Sequence, residues 1–307
     1  MKIVSVNISS KDDTSEYPVS EITLDDNGII GDSHAGSGHR QVSILTQESI
    51  DKFSKDVGQK YSPGEFYENI VIEGLNFAEV AHFDRLHIGS AELEVTRIGK
   101  KCHSENCTIA KQFGYCVIAE EGFFCKVKKG GIIKPGDEVI LQTHPLKFKI
   151  ITVSDRAFSG EYDDKSGPRV KQLLEGFFAD SHWHIEIENI LIPDDEERLE
   201  QELKNSKKNR TDVVITTGGT GIGPRDITPD VVESLCDKTI PGIMEYIRIK
   251  YGAENPNALL SRSIAGIMGK TLVYTLPGSV KAVSEYIPEI LKTLEHLIFT
   301  IHGIDTH

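Results

Sequence analysis

The sequence predicts two domains of different class. A mostly β, barrel-like domain spans residues 1–143. After a short connector at 144–147, an α/β three-layer sandwich with a mostly parallel sheet spans 148–307. Three observations carry this reading. The chain has 307 residues, enough for two separate cores. Its first half reads as short extended runs between turns, whereas its second half alternates strand-like and helix-like segments. A glycine cluster lies between a β-branched run and a helix-start pattern, in VVITTGGTGIGPRDITPD from Val213 to Asp230.

In the first half the extended runs are KIVSVNIS (2–9), QVSILT (41–46), NIVIEG (69–74), DRLHIG (84–89), AELEVTRIG (91–99) and DEVILQT (137–143). Turn residues such as Asn27-Gly28 and Pro135-Gly136-Asp137 bound them, and helical periodicity is scarce. Short strands at this spacing favour a barrel-like β domain. After HPLK (144–147) the rhythm changes. FKIITVSD (148–155) reads as a strand, GPRVKQLLEGFFADS (167–181) carries apolar residues at helical spacing, and WHIEIENILIPDD (183–195) alternates. EERLEQELKNSKKN (196–209) reads as an amphipathic, charge-laced helix. The run from Asp212 to Thr217, rich in Val, Ile and Thr, suits a strand covered on both faces. Thr228 then reads as an N-cap with Pro229 at the first helical position. TLVYTLPG (271–278) is another strand, and a long helix runs from Ser279 to Gly303. Strands alternating with helices imply parallel strands joined by crossover helices.

In such sheets ligands bind beyond the carboxyl ends of the strands. That rule selects Ser154, Asp155 and Arg156, then Ile192 to Asp195, Thr216 to Gly221, and Leu276 to Ser279, all at one edge of the sheet. Gly218, Gly219, Gly221 and Gly223 can take positive φ and bring backbone N–H groups close to a ligand. With a helix N-terminus behind it, the loop reads as an anion site, most often for phosphate. A generic glycine-rich turn is the bland alternative. The loop fits neither G-x-x-x-x-G-K-[ST] nor G-x-G-x-x-G.

A net charge of -13, from 34 basic against 47 acidic residues, argues against a broad nucleic-acid surface. An anionic substrate must then be received locally, by metal ions, helix N-termini and a few placed cations. No apolar run approaches bilayer-spanning length and the N-terminus lacks a signal-peptide pattern, so a cytoplasmic protein without a membrane partner is expected. The cysteines are Cys102, Cys107, Cys116, Cys125 and Cys236, four of them in one segment. A disulfide framework is not expected, but thiol chemistry or metal binding in that segment is open.

SDRAFSGEYDDKSGP, IPDD, TTGGTGIGPRDITPD, PGIMEYIR, LSRSIAGI and LPGS resemble, in order and spacing, the motifs of the molybdopterin adenylyltransferase (MogA, MoaB) family, also seen as a domain of gephyrin. The resemblance covers nearly all of Phe148 to Gly303. It implies Mg²⁺-dependent transfer of AMP from ATP to the terminal phosphate of molybdopterin, with release of pyrophosphate. It further implies a homotrimer formed through this domain and a molybdenum insertion enzyme as a partner. Asp194 and Asp226 match the family's catalytic aspartates and are assigned to holding Mg²⁺. Two unit charges ~5 Å apart repel by roughly 3 kcal/mol at an effective dielectric of 20, so carboxylates facing phosphates need a cation between them. The substrate- and phosphate-binding candidates are Thr217, Gly218, Gly219, Thr220 and Gly221, with Ser154, Asp155, Arg156, Pro277, Gly278 and Ser279. Arg156 and Arg225 are the nearest cations in sequence. Other roles stand beside these: Asp155 as a loop brace, Asp195 and Asp230 as helix-start carboxylates, and Asp226 as a turn residue. Ser279, with Lys281 beside it, reads equally as a cap or a substrate contact.

GDSHAG from Gly31, HRQVSIL from His39, YENIVIEGL from Tyr67, RIGKKCHSENCTI from Arg97 and KKGGIIKPGDEV from Lys128 resemble the MOSC domain, found at the C-terminus of molybdenum cofactor sulfurases and alone in small bacterial proteins. The resemblance implies binding or handling of molybdopterin, molybdenum cofactor or sulfur, with a cysteine as sulfur carrier or metal ligand. Cys107 and Cys102 are the thiol candidates, with His103 beside Cys102. Lys100, Lys101 and His103 make this sequence positive, which favours a thiolate. Zinc held by the same segment is the alternative. Cys125 and Cys236 read as buried and inert, His34 and His39 as ligand-orienting or solvated, and Asn69 as a polar contact at a strand start. A non-catalytic molybdenum cofactor carrier and a sulfur-transfer protein centred on the first domain are the alternative functions. The presence of both Asp194 and Asp226 favours catalysis.

Overall fold

A computed structural model describes residues 1–9, 16–33, 35–100 and 108–305. The chain divides into two units, Met1–Pro145 with His182–His184, and Leu146–Ser181 with Ile185–His307. Leu146 and Lys147, read from sequence as connector, are the first residues of a strand. Leu146 is buried and pairs with Ile185.

The N-terminal unit is mostly β, as expected. Its eight-stranded sheet runs in the order Val139–Gln142, Arg85–Ile88, Ala91–Ile98, Phe123–Lys129, Val42–Thr46, Ile70–Glu73, Lys2–Ser9 and Glu16–Val19. A second sheet holds Gly131–Ile133, Ile22–Asp25 and Gly28–Ile29. The barrel-like expectation is not met by a closed sheet. Among the described residues the ladder ends in two edge strands, and Lys2 meets Glu138 only through an isolated bridge. Alternation splits the core: Ile44, Ile70 and Ile72 face one cluster, while Leu45 and Val71 face another with Ile50 and Phe53. Those last two belong to a helix, Gln47–Val57, that scarce periodicity did not reveal. Its ends obey local chemistry. Thr46 accepts from the Ser49 N–H at 3.1 Å, and Gly58 stops the helix at φ 69°.

The C-terminal unit holds a six-stranded sheet in the order Ile185–Ile192, Leu146–Val153, Val213–Thr217, Thr271–Leu276, Ala265–Met268 and Lys238–Thr239. The first four strands are parallel and the last two antiparallel. Val213–Thr217, paired on both sides, is buried at every residue, which is why it reads as a continuous apolar and β-branched run. Ile151, Val153, Val214 and Val273 pack with Leu199 and Leu203 of the helix Glu196–Lys208 and with Val231 and Val232 of the helix Thr228–Leu235. Helices Ser166–Phe178 and Val280–Ile301 pack on one another and on the sheet.

Candidate active site

Parallel register brings Val153, Ile192, Thr217 and Leu276 to one edge of the sheet. A cavity of about 660 Å³ opens there. Of the residues selected from sequence, Ser154, Arg156, Asp194, Thr217, Gly218, Gly219, Asp226 and Gly278 line it, together with Arg225.

The glycine loop is shaped by close approach. Gly218 has φ +105°, and a Cβ there would fall 2.1 Å from the Val153 carbonyl oxygen. At Gly219, φ +61°, a Cβ would meet the Thr228 hydroxyl at 2.6 Å. Thr228 itself departs from expectation. It is the first helical residue, preceded by Ile227 as an N-cap without a side-chain bond. The Thr228 hydroxyl is buried and has no hydrogen-bond partner among the described residues.

Asp194 and Asp155 hold each other. Asp155 N–H donates to Asp194 Oδ2 at 2.8 Å, and Asp194 N–H donates to Asp155 Oδ1 at 3.0 Å. Arg225 donates to the remaining Asp155 oxygen through Nε, at 3.1 Å, and through Nη2. The Arg225 guanidinium, followed by the Asp194 N–H, holds the Asp155 carboxyl below its ordinary range. Asp155 is thus a brace and lies outside the cavity lining. Asp226 Oδ2 accepts from Gly223 N–H at 2.8 Å. Asp194 and Asp226 therefore each give one oxygen to a backbone N–H, while neither Oδ1 has a hydrogen bond among the described residues.

The remaining candidates are engaged with protein groups. Thr220 and Gly221 turn their carbonyls to Arg262, which donates through N–H at 2.9 Å and Nε at 2.8 Å. Pro277 O accepts from the Thr217 hydroxyl at 3.4 Å. Ser279 caps the last long helix by accepting from Ala282 N–H at 3.1 Å, and Lys281 lies 3.7 Å from Glu285. Asp195 is the N-cap of Glu196–Lys208, accepting from Arg198 N–H at 2.8 Å. Asp230 is held by Arg262 at 2.7 and 2.9 Å, and that contact lowers its pKa.

Sequence reasoning missed two groups. Arg262 ties the glycine loop to Asp230 and also donates to the Asp226 carbonyl. Asp164 fixes the start of Ser166–Phe178: it accepts from Ser166 N–H and hydroxyl, both at 2.9 Å, from Gly167 N–H at 3.2 Å and from the Thr152 hydroxyl at 2.7 Å. The DKSG order, a carboxylate two and three residues ahead of the N–H groups it satisfies, was the available signal for Asp164. Arg262 lies within LSRSIAGI, but its role was not legible there because its partners lie 32 and 36 residues away.

Among the described residues no three His, Cys, Asp or Glu side chains gather to hold a metal ion. Mg²⁺ does not need such a cage, since one or two carboxylates with substrate phosphates and water suffice. Two carboxylates with an uncommitted oxygen each, on one cavity, fit that donor set.

In the N-terminal unit Cys102, His103, Cys107 and His34 lie outside the described residues. Cys116 and Cys125 are buried, and burial pushes the Cys125 thiol far up. Cys236, in the C-terminal unit, is raised to about 11, again chiefly by burial. Asn69 is buried and internally engaged rather than open to a ligand. It donates to Asp32 at 3.2 Å and accepts from Ser43 N–H and hydroxyl, both at 3.0 Å. The His39 carbonyl accepts from the Thr96 hydroxyl.

Residues 149–296 match the family model described as "Probable molybdopterin binding domain", and residues 31–140 match the "MOSC domain" model. A molybdopterin adenylyltransferase of Helicobacter pylori is 34% identical over 155 residues, which is 50% of this chain and 86% of that protein. The chain belongs to the molybdopterin adenylyltransferase family. Molybdenum cofactor biosynthesis protein B of Staphylococcus epidermidis is 37% identical, over 52% of this chain and 90% of its own. Some relatives of this family are far longer. The chain spans 26% of the molybdenum cofactor synthesis protein cinnamon of Drosophila melanogaster, at 35% identity over 157 residues. The solved structure of the tungsten cofactor synthesizing protein MoaB from Pyrococcus furiosus is 35% identical, with a TM-score of 0.45 over 52% of this chain and 98% of that one.

Proposed function

We propose that this protein transfers AMP from ATP to the terminal phosphate of molybdopterin and releases pyrophosphate, with Mg²⁺ as its metal. The observation that carries the reading is that Asp194, Asp226, Gly218 and Gly219 line one cavity at the strand ends. Membership of the adenylyltransferase family supports the choice of substrates. A molybdopterin phosphate oxygen forms a bond to the α-phosphorus of ATP, and the bond to the bridging oxygen breaks as pyrophosphate leaves with the electron pair. Backbone N–H groups of the glycine loop orient the phosphates, other than those of Gly218 and Gly223, which are given to the Leu276 carbonyl and Asp226 Oδ2. Asp194 and Asp226 hold Mg²⁺, which supplies neutralisation of phosphate charge when bound.

In this reading the MOSC domain binds or handles molybdopterin, molybdenum cofactor or sulfur, using Cys107 or Cys102. The C-terminal unit forms a homotrimer. Tyr246, Ile249, Leu259 and Leu260, all more than half exposed, support an assembly surface of this kind. A molybdenum insertion enzyme receives the product.

The test is incubation of the protein with molybdopterin, ATP and Mg²⁺, followed by mass spectrometry for adenylylated molybdopterin. Product is expected from the native chain. It should vanish on removal of divalent metal and fall by about a thousandfold or more in Asp226→Ala, with circular dichroism unchanged. Molybdopterin binding without product would instead make the protein a carrier.

A further inference from the structure

Three cations line the cavity: Arg156, Lys165 and Arg225. Two of them face protein carboxylates, Arg225 closely and Arg156 in an exposed pair. Arg225 is held by Asp155, and Arg156 lies 3.5 Å from Glu161 with its guanidinium carbon 4.9 Å from the Tyr162 ring centroid. Lys165 has neither an ion pair nor a side-chain hydrogen bond among the described residues.

Its sequence neighbour Asp164 does not hold it. Asp164 Oδ2 accepts from Thr152, and Oδ1 accepts from Ser166 and Gly167. The same bonds fix the backbone at Lys165, directly ahead of the helix Ser166–Phe178. Gly167 lets this junction close on the sheet, since a Cβ there would fall 2.6 Å from the Thr152 hydroxyl. The result is a fixed backbone carrying an uncommitted ammonium on a wall that also holds Asp163, Asp164, Asp194 and Asp226. An anion entering so acidic a site needs a cation that is not already neutralised.

Resting on the adenylyl-transfer reading, we propose that Lys165 is a substrate-binding residue that contacts a phosphate group, the chemistry shared by ATP and molybdopterin. Arg225, named from sequence for that part, is a brace on Asp155.

The experiment uses the full chain and titration calorimetry with three probes: Mg-ATP, molybdopterin and inorganic pyrophosphate. Lys165→Met and Lys165→Gln should weaken at least one of them by about tenfold or more, as expected for a lost charge-assisted hydrogen bond. They should also flatten the salt dependence of that binding, and Lys165→Arg should restore most of it. The affected KM rises more than kcat falls. Which probe weakens tells whether the phosphate belongs to the nucleotide or the pterin. Native affinity for all three probes in both neutral variants overturns the proposal. If pyrophosphate binding depends on Lys165 but the native chain makes no adenylylated product, this inference stands and the reaction falls. If the native chain binds none of the probes, both fall.

Discussion

Asp155 sits at a strand end, where a ligand contact was plausible from sequence, yet its carboxylate faces protein: Asp194 N–H on one oxygen, Arg225 on the other. It orients Asp194 and tethers the loop that carries Asp226. Asp155→Asn keeps an oxygen for the Asp194 N–H but removes the charge opposite Arg225. Steady-state kinetics should show kcat falling by about tenfold with KM for ATP changed less, since orientation is lost rather than a substrate contact. Equal effects of Asp155→Asn and Asp155→Ala would rule out a role for the retained oxygen. The sign of the pH effect is fixed. A depressed carboxylate contributes stability above its unfolded value of 3.8 and loses it only as pH falls through the still lower folded value. Asp155 therefore adds no titration near neutrality. At Gly218 the backbone decides: a Cβ 2.1 Å from the Val153 oxygen, at φ +105°, makes Gly218→Ala destabilising by about 2 kcal/mol or more in chemical denaturation. A midpoint matching the native chain would show that the strand end yields.

Elements were legible where chemistry is local. Asp195 and Ser279 precede helices they do cap. Thr228 looked equally good, but it is itself the first helical residue, and its hydroxyl lies near Gly219 instead of capping. The helix Gln47–Val57 was missed because only Ser49, Ile50 and Phe53 of it are buried, leaving a thin apolar stripe. The segment Ser62–Asn69 in the same unit turns on a carboxylate. Glu68 is fully buried and accepts from Gly64 N–H and from Phe66 N–H at 3.1 Å. Burial raises it from 4.5 to about 7, against the pull of those N–H groups. Because the folded value is the higher one, its favourable contribution is complete below about pH 4.5 and is lost as pH rises through 7. The swing is on the order of 3 kcal/mol at 1.36 kcal/mol per unit. Melting of the N-terminal unit should accordingly shift downward between about pH 4.5 and 7, and Glu68→Gln should remove most of that shift. An unchanged slope in the variant would assign it to other groups.

At the scale of the whole chain, the change of rhythm near residue 145 marks two units, but sequence order hid the membership of one short segment. His182–His184 lies between a helix and a strand of the C-terminal unit in sequence and groups with the N-terminal unit. Trp183 is 6% exposed, with its ring 4.7 Å from His82 and 5.4 Å from Phe83. The His182 carbonyl accepts from His82 N–H at 2.9 Å, and His184 Nε2 lies 3.3 Å from the buried Asp84. Burial lowers His82 to about 3, so the ring packing on Trp183 is neutral across the working range. Alternation in WHIEIENILIPDD showed a strand, but nothing in it separates Trp183 and His184 from the strand residues that begin at Ile185. A fragment of residues 1–145 lacks this segment. Loss of a buried tryptophan costs about 3–5 kcal/mol, a large part of the stability of a domain this size. The fragment should melt well below the same unit in the full chain, and Trp183→Ala in the full chain should lower that unit's transition similarly. Adenylyl transfer below the transition should be retained in Trp183→Ala, because no residue lining the cavity belongs to the N-terminal unit. Equal melting of fragment and intact unit would mean that His182–His184 contributes no stability there, and the N-terminal fold would be complete at Pro145.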